Sequence, residues 1–297
     1  MRDMDSTMRR RAGVTDAGDV DATVVRPAPR ESYLRPYLTH APAALALERA
    51  LECEIYRGRP FRRPILDLGC GDGLFVQVLF GAGRPICLGL DPNLSELNAA
   101  RDRDAYRGLL CARADSTIPL RDGFCRTVFS NSVLEHIPEL DRVLREVHRV
   151  LSEDGELMVT VPTDKFDRYT VGHQVLRHMG LRRLAESFSR RFNTFWRHYY
   201  YHTPAGWKAV LERAGFEVVE SMEYSPKAIS MLRDAAVPLA FPSFLAKKLL
   251  NRWTLSPAAR APWAGWASRW LERAEDVDCA DGGLVFLRAV KRPASAT

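Results

Sequence analysis

The 297-residue sequence has no uninterrupted apolar run of the roughly 18 residues a helix needs to cross a bilayer, so a spanning helix is not expected. Met1 to Arg30 carries several arginines but no apolar core segment, which excludes a secretory signal; its Asp, Thr, Arg, Gly and Pro content predicts a disordered leader over 1–30. The six cysteines, at 53, 70, 87, 111, 125 and 279, include no C-x-x-C pair, so no metal site is expected, and they read as reduced thiols of a cytoplasmic protein. Acid is missing altogether from Ala235 to Trp270, where five basic residues and four tryptophans stand. The net charge of +6 is too modest to argue for nucleic acid, and no Asn/Asp-Pro-Pro-Tyr/Phe run is present. A charged fraction of 27% and a hydrophobic fraction of 46% are ordinary for a globular chain long enough to bury a core.

What is present is the run Pro64-Ile-Leu-Asp-Leu-Gly-Cys-Gly-Asp-Gly-Leu-Phe75, with a further acid at Asp91. An apolar strand and three alternate glycines, Gly69, Gly71 and Gly73, describe a tight turn that brings backbone close to a ligand, because glycine tolerates positive φ and has no Cβ in the way. The next strand, Ile86 to Leu90, ends at Asp91, about 20 residues past the first glycine, where doubly wound α/β folds place a carboxylate on a ribose. Position 74 separates the cofactor classes. A dinucleotide fingerprint needs glycine or alanine three residues after its second glycine, and this chain has Leu74. Asp67 and Asp72 also work against a diphosphate at a helix N-terminus and favour a cationic ligand with a free amino group.

Short apolar runs alternate with helical stretches from about residue 64 to 162. Strands are predicted at 64–68, 86–90, 110–114, 126–131 and 157–162, a β-α repeat that points to a parallel sheet. Glu139 to Leu151 is an amphipathic helix with Leu140, Val143, Leu144, Val147 and Leu151 on one face, stopped by a turn at Ser152-Glu-Asp-Gly155. Thr203 to Gly215 reads as a capped helix with Pro204 at its first position, followed by strands at Phe216–Glu220 and Gly283–Val290.

The glycine run with its spaced Asp91 resembles motif I of the class I S-adenosylmethionine-dependent methyltransferases, and residues 60 to 225 carry the resemblance. It implies a doubly wound, Rossmann-like sheet of seven strands, the last antiparallel, in one domain over 31–297. Helices at 31–59 and insertions at 164–202 and 226–282 would cap the C-terminal edge of the strands, where ligands bind in open α/β sheets. S-adenosyl-L-methionine would be the cofactor. Its methionine end would meet Asp67, Gly69 and Asn131, its ribose Asp91, and its adenine Asp115 and Ser116, with Cys70, Gly71, Gly73 and Pro92 as further cofactor-binding residues. His136, in Ser130-Asn-Ser-Val-Leu-Glu-His-Ile137, is a candidate base for a hydroxyl acceptor, with packing as the alternative. His173, His198 and His202 are further imidazoles, the last two in the cluster Arg197-His-Tyr-Tyr-Tyr-His202, which either anchors the cap or lines the site.

Residues 242–253 read as a helix with an apolar and a basic side, which fits either a membrane interface or a cap packed on the core. The expected reaction is methyl transfer, as O-methylation, to a small-molecule or sugar/lipid-linked acceptor. C- or N-methylation of a quinone-like or amine acceptor, and cofactor binding without transfer, are the alternatives. No nucleic-acid partner is expected.

Overall fold

The computed structural model describes residues 24–29, 33–271 and 279–292. Most of the expected leader, residues 1–23 and 30, lies outside them, but its end departs from expectation. Val24–Val25 (β1) pairs antiparallel with Phe61–Arg62 (β2), and the Ala28 amide donates to the Leu79 carbonyl at 2.8 Å.

Helices α1 (Leu34–His40) and α2 (Ala43–Tyr56) precede the main sheet. Then come β3 (Ile65–Leu68), α3 (Leu74–Phe80), β4 (Ile86–Asp91), α4 (Leu94–Asp102), β5 (Tyr106–Cys111) and β6 (Cys125–Asn131). A 3₁₀ turn at Leu134–His136 leads to α5 (Leu140–Val150), β7 (Leu151–Pro162), α6 (Val171–His178), α7 (Arg182–Trp196) and α8 (Pro204–Arg213). The chain continues through β8 (Phe216–Pro226), α9 (Lys227–Ala236), α10 (Phe241–Leu250), α11 (Pro257–Leu271) and β9 (Gly282–Lys291).

The seven strands lie in the order β5-β4-β3-β6-β7-β9-β8, and β9 is antiparallel to both neighbours. This is the doubly wound sheet expected from the sequence. All four residues of β3 are buried, as a central strand covered on both faces requires. On one face α1, α2 and α3 close over a cage of Tyr56, Phe61, Phe129 and Phe286, whose rings meet at 5.5–6.0 Å. On the other, the predicted stripe of α5 and Trp207 of α8 fill the core. The Trp207 indole, 1% exposed, satisfies its one donor on the Pro162 carbonyl at 2.8 Å. Thr203 caps α8 by accepting from the Gly206 amide, with Pro204 at the first position where its missing N–H costs nothing.

Three boundaries moved well beyond a residue or two, one of them the end of β8, which runs to Pro226 rather than Glu220. The third sheet strand runs over 106–111 rather than 110–114, because Tyr106 pairs with Ile86 and buries its ring. The expected turn at 152–155 is instead looped out of a longer strand: the register jumps from Cys125↔Leu151 to Thr127↔Glu156.

Both insertions fold into helices, α6 and α7 in the first, α9 to α11 in the second. Ala264, Ala267 and Ser268 of α11 are buried, while α10 buries no residue fully. Residues 272–278 of the second insertion lie outside the described residues.

Candidate active site

The strand order sets the C-terminal ends of β5, β4, β3 and β6 side by side, and the chain reverses its direction of winding between β3 and β6, the crevice where open α/β sheets bind ligands. After β3 the chain turns through Gly69, Gly71 and Gly73 at φ of 85°, 51° and 74°. The amides of Gly69 and Cys70 both donate to the Leu90 carbonyl, and that of Gly71 to Asp91 Oδ2 at 3.1 Å. At Gly69 a Cβ would stand 2.5 Å from Val133, so glycine there is a packing requirement as well as a conformational one. At Gly71 a Cβ would meet nothing within 4 Å, and this residue lines a cavity of about 240 Å³.

Asp67, Gly69, Cys70, Gly71 and Asn131 all line that cavity, together with Asp72 and Glu96 on one side and Tyr37, Arg49 and Trp253 on others. Asp67 is 3% exposed and accepts from the Tyr106 hydroxyl at 2.6 Å. Burial pushes its carboxyl up to about 7; the tyrosine bond opposes that rise and the nearby Asp91 adds to it. A cationic amino group arriving beside it would restore the ionised form. The Cys70 thiol is likewise pushed up by burial, which leaves it protonated and unreactive. Asn131 is locked: its amide donates to Glu52 at 2.6 Å and its side-chain oxygen accepts from Thr160 at 2.9 Å. Gly73 sits behind the loop, where a Cβ would meet Ala105 and Tyr106 at 3.2 Å.

Asp91, Pro92, Asp115 and Ser116 lie further along the edge, outside this cavity. Asp91 spends its carboxylate on backbone, accepting from the amides of Gly71 and of Asn93 at 3.1 and 2.8 Å. Asp115 is held by its own neighbour: Arg113 donates to its two oxygens at 2.9 and 2.5 Å, and this contact keeps the carboxyl below its usual range. Ser116 folds back on the Arg113 carbonyl, its hydroxyl donating at 2.7 Å. The sheet brings these four residues to the right edge, but both oxygens of Asp115 are engaged within its own turn.

A second cavity of about 300 Å³ adjoins the first, and Leu45, Arg49 and Trp253 wall both. The chain divides them at Asn131 and Ser132. Ser132 adopts φ of 51°, a left-handed conformation that costs a non-glycine residue on the order of 1 kcal/mol or more. It is held there by its hydroxyl on Glu52 at 2.6 Å and its amide on Thr160. The turn leaves Asn131 on the first cavity and Ser132, Glu135 and His136 on the second.

The second cavity is mostly apolar and aromatic, with Phe166, Phe192, Trp196, Phe244 and Trp253 in its wall. His136 and His198 stack there at 5.0 Å; burial lowers both imidazoles, the second to about 4, so both are neutral near pH 7. His173 is instead buried against the Ser189 hydroxyl at 2.8 Å, and His202 packs on Trp207 at 5.1 Å. The cluster 197–202 therefore does both expected jobs: His198 lines the cavity, while Tyr200 anchors the segment by donating to the Pro138 carbonyl at 2.6 Å.

The sequence reading missed the acids of this region. Glu52, fully buried, receives Arg49, Asn131 and Ser132 at 2.6–2.7 Å, and burial raises its carboxyl despite them. Glu48 pairs with Arg233 of α9 at 2.5 Å. Their signal was in the sequence as two acids four residues apart, hence on one face, of a helix that is mostly apolar. Lys247 of α10 reaches across the first cavity to Glu96 and Asp72 at 2.7 and 3.4 Å, tying the second insertion to the glycine loop.

A doubly wound sheet in this order, a glycine loop after its central strand and an acid closing the next strand define the class I methyltransferase fold. Residues 66–159 match the family model described as a methyltransferase domain, and the chain thus carries a methyltransferase domain of the class I, S-adenosylmethionine-dependent type. The first cavity suits that cofactor: backbone stands open at Gly71, and both acidic (Asp67) and basic (Arg49) side chains line it, as an amino-acid zwitterion requires. An uncharacterized methyltransferase of Mycolicibacterium gilvum is 32% identical over 130 residues, 43% of this chain and 50% of that protein. A malonyl-[acyl-carrier protein] O-methyltransferase of Legionella pneumophila is 33% identical over 103 residues, 33% and 36% of the two chains. The chain thus spans half or less of the length of these two relatives. The solved structure of Haemonchus contortus phosphoethanolamine N-methyltransferase 2 in complex with S-adenosyl-L-methionine aligns over 88% of this chain and 56% of that one, with a TM-score of 0.50 at 17% identity, which shows the shared fold.

Proposed function

We propose that this protein transfers a methyl group from S-adenosylmethionine to a hydroxyl-bearing, largely apolar acceptor held in the second cavity. The observation that carries this reading is the pair of cavities sharing the wall of Leu45, Arg49 and Trp253: one suits the donor, the other combines a mostly apolar, aromatic wall with polar and charged groups, the usual make-up of a small-molecule site. When bound, the cofactor supplies an electrophilic methyl on a sulfonium, so the transfer needs alignment above all. Asp67, the open backbone at Gly71 and the locked Asn131 would hold the donor's methionine end, Asp91 its ribose. Trp196, Phe192 and Phe166 would exclude water and orient the acceptor. Curated relatives named as O-methyltransferases favour oxygen as the acceptor atom.

The acceptor is, on this reading, an amphiphile presented at a membrane surface. No single helix among the described residues is long and apolar enough to span a bilayer, yet α10 is poised to lie on one. Its inner side, Phe244 and Lys247, walls the two cavities. Its outer side presents Phe241, Leu245 and Leu249, 47–69% exposed, with Leu250, Leu255 and Leu239 adding to the patch. Lys248 and Arg252 flank it with no acid from 235 to 270, which suits anionic headgroups.

The test is S-adenosylhomocysteine release from labelled donor with hydroxylated aromatics and hydroxylated lipids in mixed micelles, with the product's methylated atom identified. O-methylated product supports the reading. An N- or C-methylated product corrects the acceptor, and donor binding with no product from any acceptor leaves a binding protein. Leu245→Ser/Leu249→Ser should release the protein from phosphatidylglycerol vesicles; unchanged sedimentation removes the membrane contact.

A further inference from the structure

We propose that Glu135 receives the acceptor's proton during methyl transfer, a role that rests on the reading above. The side chain sits in the 3₁₀ turn just after the strained Ser132 and lines the second cavity. It is 2% exposed, and its Oε2 has no hydrogen-bond partner among the described residues. Carboxylate oxygens buried without a partner are costly, and the other buried acids here avoid that cost: Glu48 has Arg233, and Glu52 has Arg49, Asn131 and Ser132. Glu135 therefore holds an unfilled acceptor oxygen on a residue of the cavity wall, and on this proposal a ligand hydroxyl completes it.

Its neighbour leaves that task to it. His136 places Nδ1 3.3 Å from the Arg197 carbonyl, which needs a donor; the proton is thereby assigned to Nδ1, and Nε2 becomes the lone-pair nitrogen. That Nε2 lies 3.7 Å from Glu135 Oε1. With a lone pair on each atom and 3.7 Å between them, the two share no hydrogen bond while Glu135 is ionised; the base role expected of His136 passes to Glu135, and His136→Ala should keep the rise of turnover with pH. As the acceptor oxygen bonds to the methyl carbon, the S–C bond breaks and its electron pair stays on sulfur. The O–H proton goes to Glu135 Oε2, so a sulfonium and a carboxylate become a thioether and a neutral acid.

The step requires Glu135 ionised. Burial pushes its carboxyl up to about 8, with its own backbone amide and Arg49 pulling down and Glu52 and Glu48 pushing up. His136 and His198, both neutral, the paired Arg233, and Asp234, which accepts from the Val171 amide, are the other titratable groups in the wall of this cavity. Turnover should therefore climb through pH 7 and level off above about 8.

The experiment measures turnover against pH for wild type, Glu135→Gln, Glu135→Asp and His136→Ala, with S-adenosylhomocysteine affinity as a control. Glu135→Gln should lower kcat by about 10²-fold or more and abolish the rise with pH, while leaving S-adenosylhomocysteine affinity within about twofold. Glu135→Asp should recover part of the activity. A Glu135→Gln enzyme within threefold of wild type, with the same profile, overturns the assignment while methyl transfer stands. A wild type that binds the donor but turns over no acceptor overturns both. A second measurement needs no acceptor: the infrared difference between wild type and Glu135→Gln at pH 6 should show a protonated carboxyl band that fades by pH 9.5. A band that persists at pH 9.5 overturns the proposal, because the acid then never ionises to take the proton.

Discussion

Alanine placed at Gly69 or at Gly71 should damage different things. Both glycines hold positive φ, 85° and 51°, where an L-residue costs about 1–2 kcal/mol, least near the left-handed minimum that Gly71 occupies. At Gly69 the new methyl would also stand 2.5 and 2.6 Å from the two methyls of Val133. Val133 cannot retreat freely, because it follows Ser132, which Glu52 and Thr160 pin from either side. Overpacking of this kind adds about 1–3 kcal/mol, so Gly69→Ala should lose about 2–5 kcal/mol of a total that is on the order of 5–15. Gly71→Ala meets no atom within 4 Å and should lose about 1 kcal/mol. Its methyl, however, projects where the donor's methionine end would lie. Urea unfolding of the pair, with calorimetric titration of S-adenosylhomocysteine, separates the effects. Gly71→Ala should be nearly as stable as wild type and bind at least tenfold more weakly, about 1.4 kcal/mol. Wild-type affinity in Gly71→Ala would refute the placement of the donor, and equal stability of the two variants would refute the packing argument.

Other consequences can be read with the same assays. Asp91→Ala removes the acceptor of the Gly71 and Asn93 amides as well as the expected ribose contact, and should weaken donor binding by about 2–3 kcal/mol; unchanged titration would take Asp91 out of the site. Glu52→Ala leaves Arg49 without its buried partner and frees Asn131 and Ser132, and should cost about 3–5 kcal/mol in urea unfolding, with a loss below 1 contradicting its role as the hub. Glu135 makes stability depend on pH. Its folded pKa of about 8 lies above the ordinary 4.5, so the folded state binds the extra proton; the stability this confers is whole below about 4.5 and lost as pH rises through 8. Relative to Glu135→Gln, wild type should lose on the order of 3–5 kcal/mol between pH 4.5 and 8.5, and a flat difference would show that the carboxyl ionises normally.

Much of the fold was legible because local signals agreed. The apolar strand, the glycine turn and the amphipathic stripe of α5 each specify one geometry, and the observed sheet follows from them. The grouping of the proposed donor residues was legible for the same reason: Asp67, Gly69, Gly71 and Asn131 sit at strand ends, and strand order alone gathers them around one cavity. The acceptor side was not, because it is assembled from distant segments. Glu135 and His136 come from one turn, Glu48 and Arg49 from α2, His198 from the first insertion, and Arg233 and Phe244 from the second. No periodicity links them, and whether an acid is buried and unpartnered, as Glu135 Oε2 is, depends on packing that spacing does not encode. Asp115 shows the converse: its position after β5 suggested a ligand contact, but Arg113, two residues away, already holds it.

The central claim is that this chain binds a sulfonium-bearing methyl donor at the glycine loop. It is tested most directly by isothermal titration with S-adenosylmethionine and S-adenosylhomocysteine beside NAD. The account predicts micromolar binding of the first two, weakened at least tenfold in Gly71→Ala, and none of NAD. Binding of NAD, or no binding of either methionine derivative by a folded protein, would contradict it.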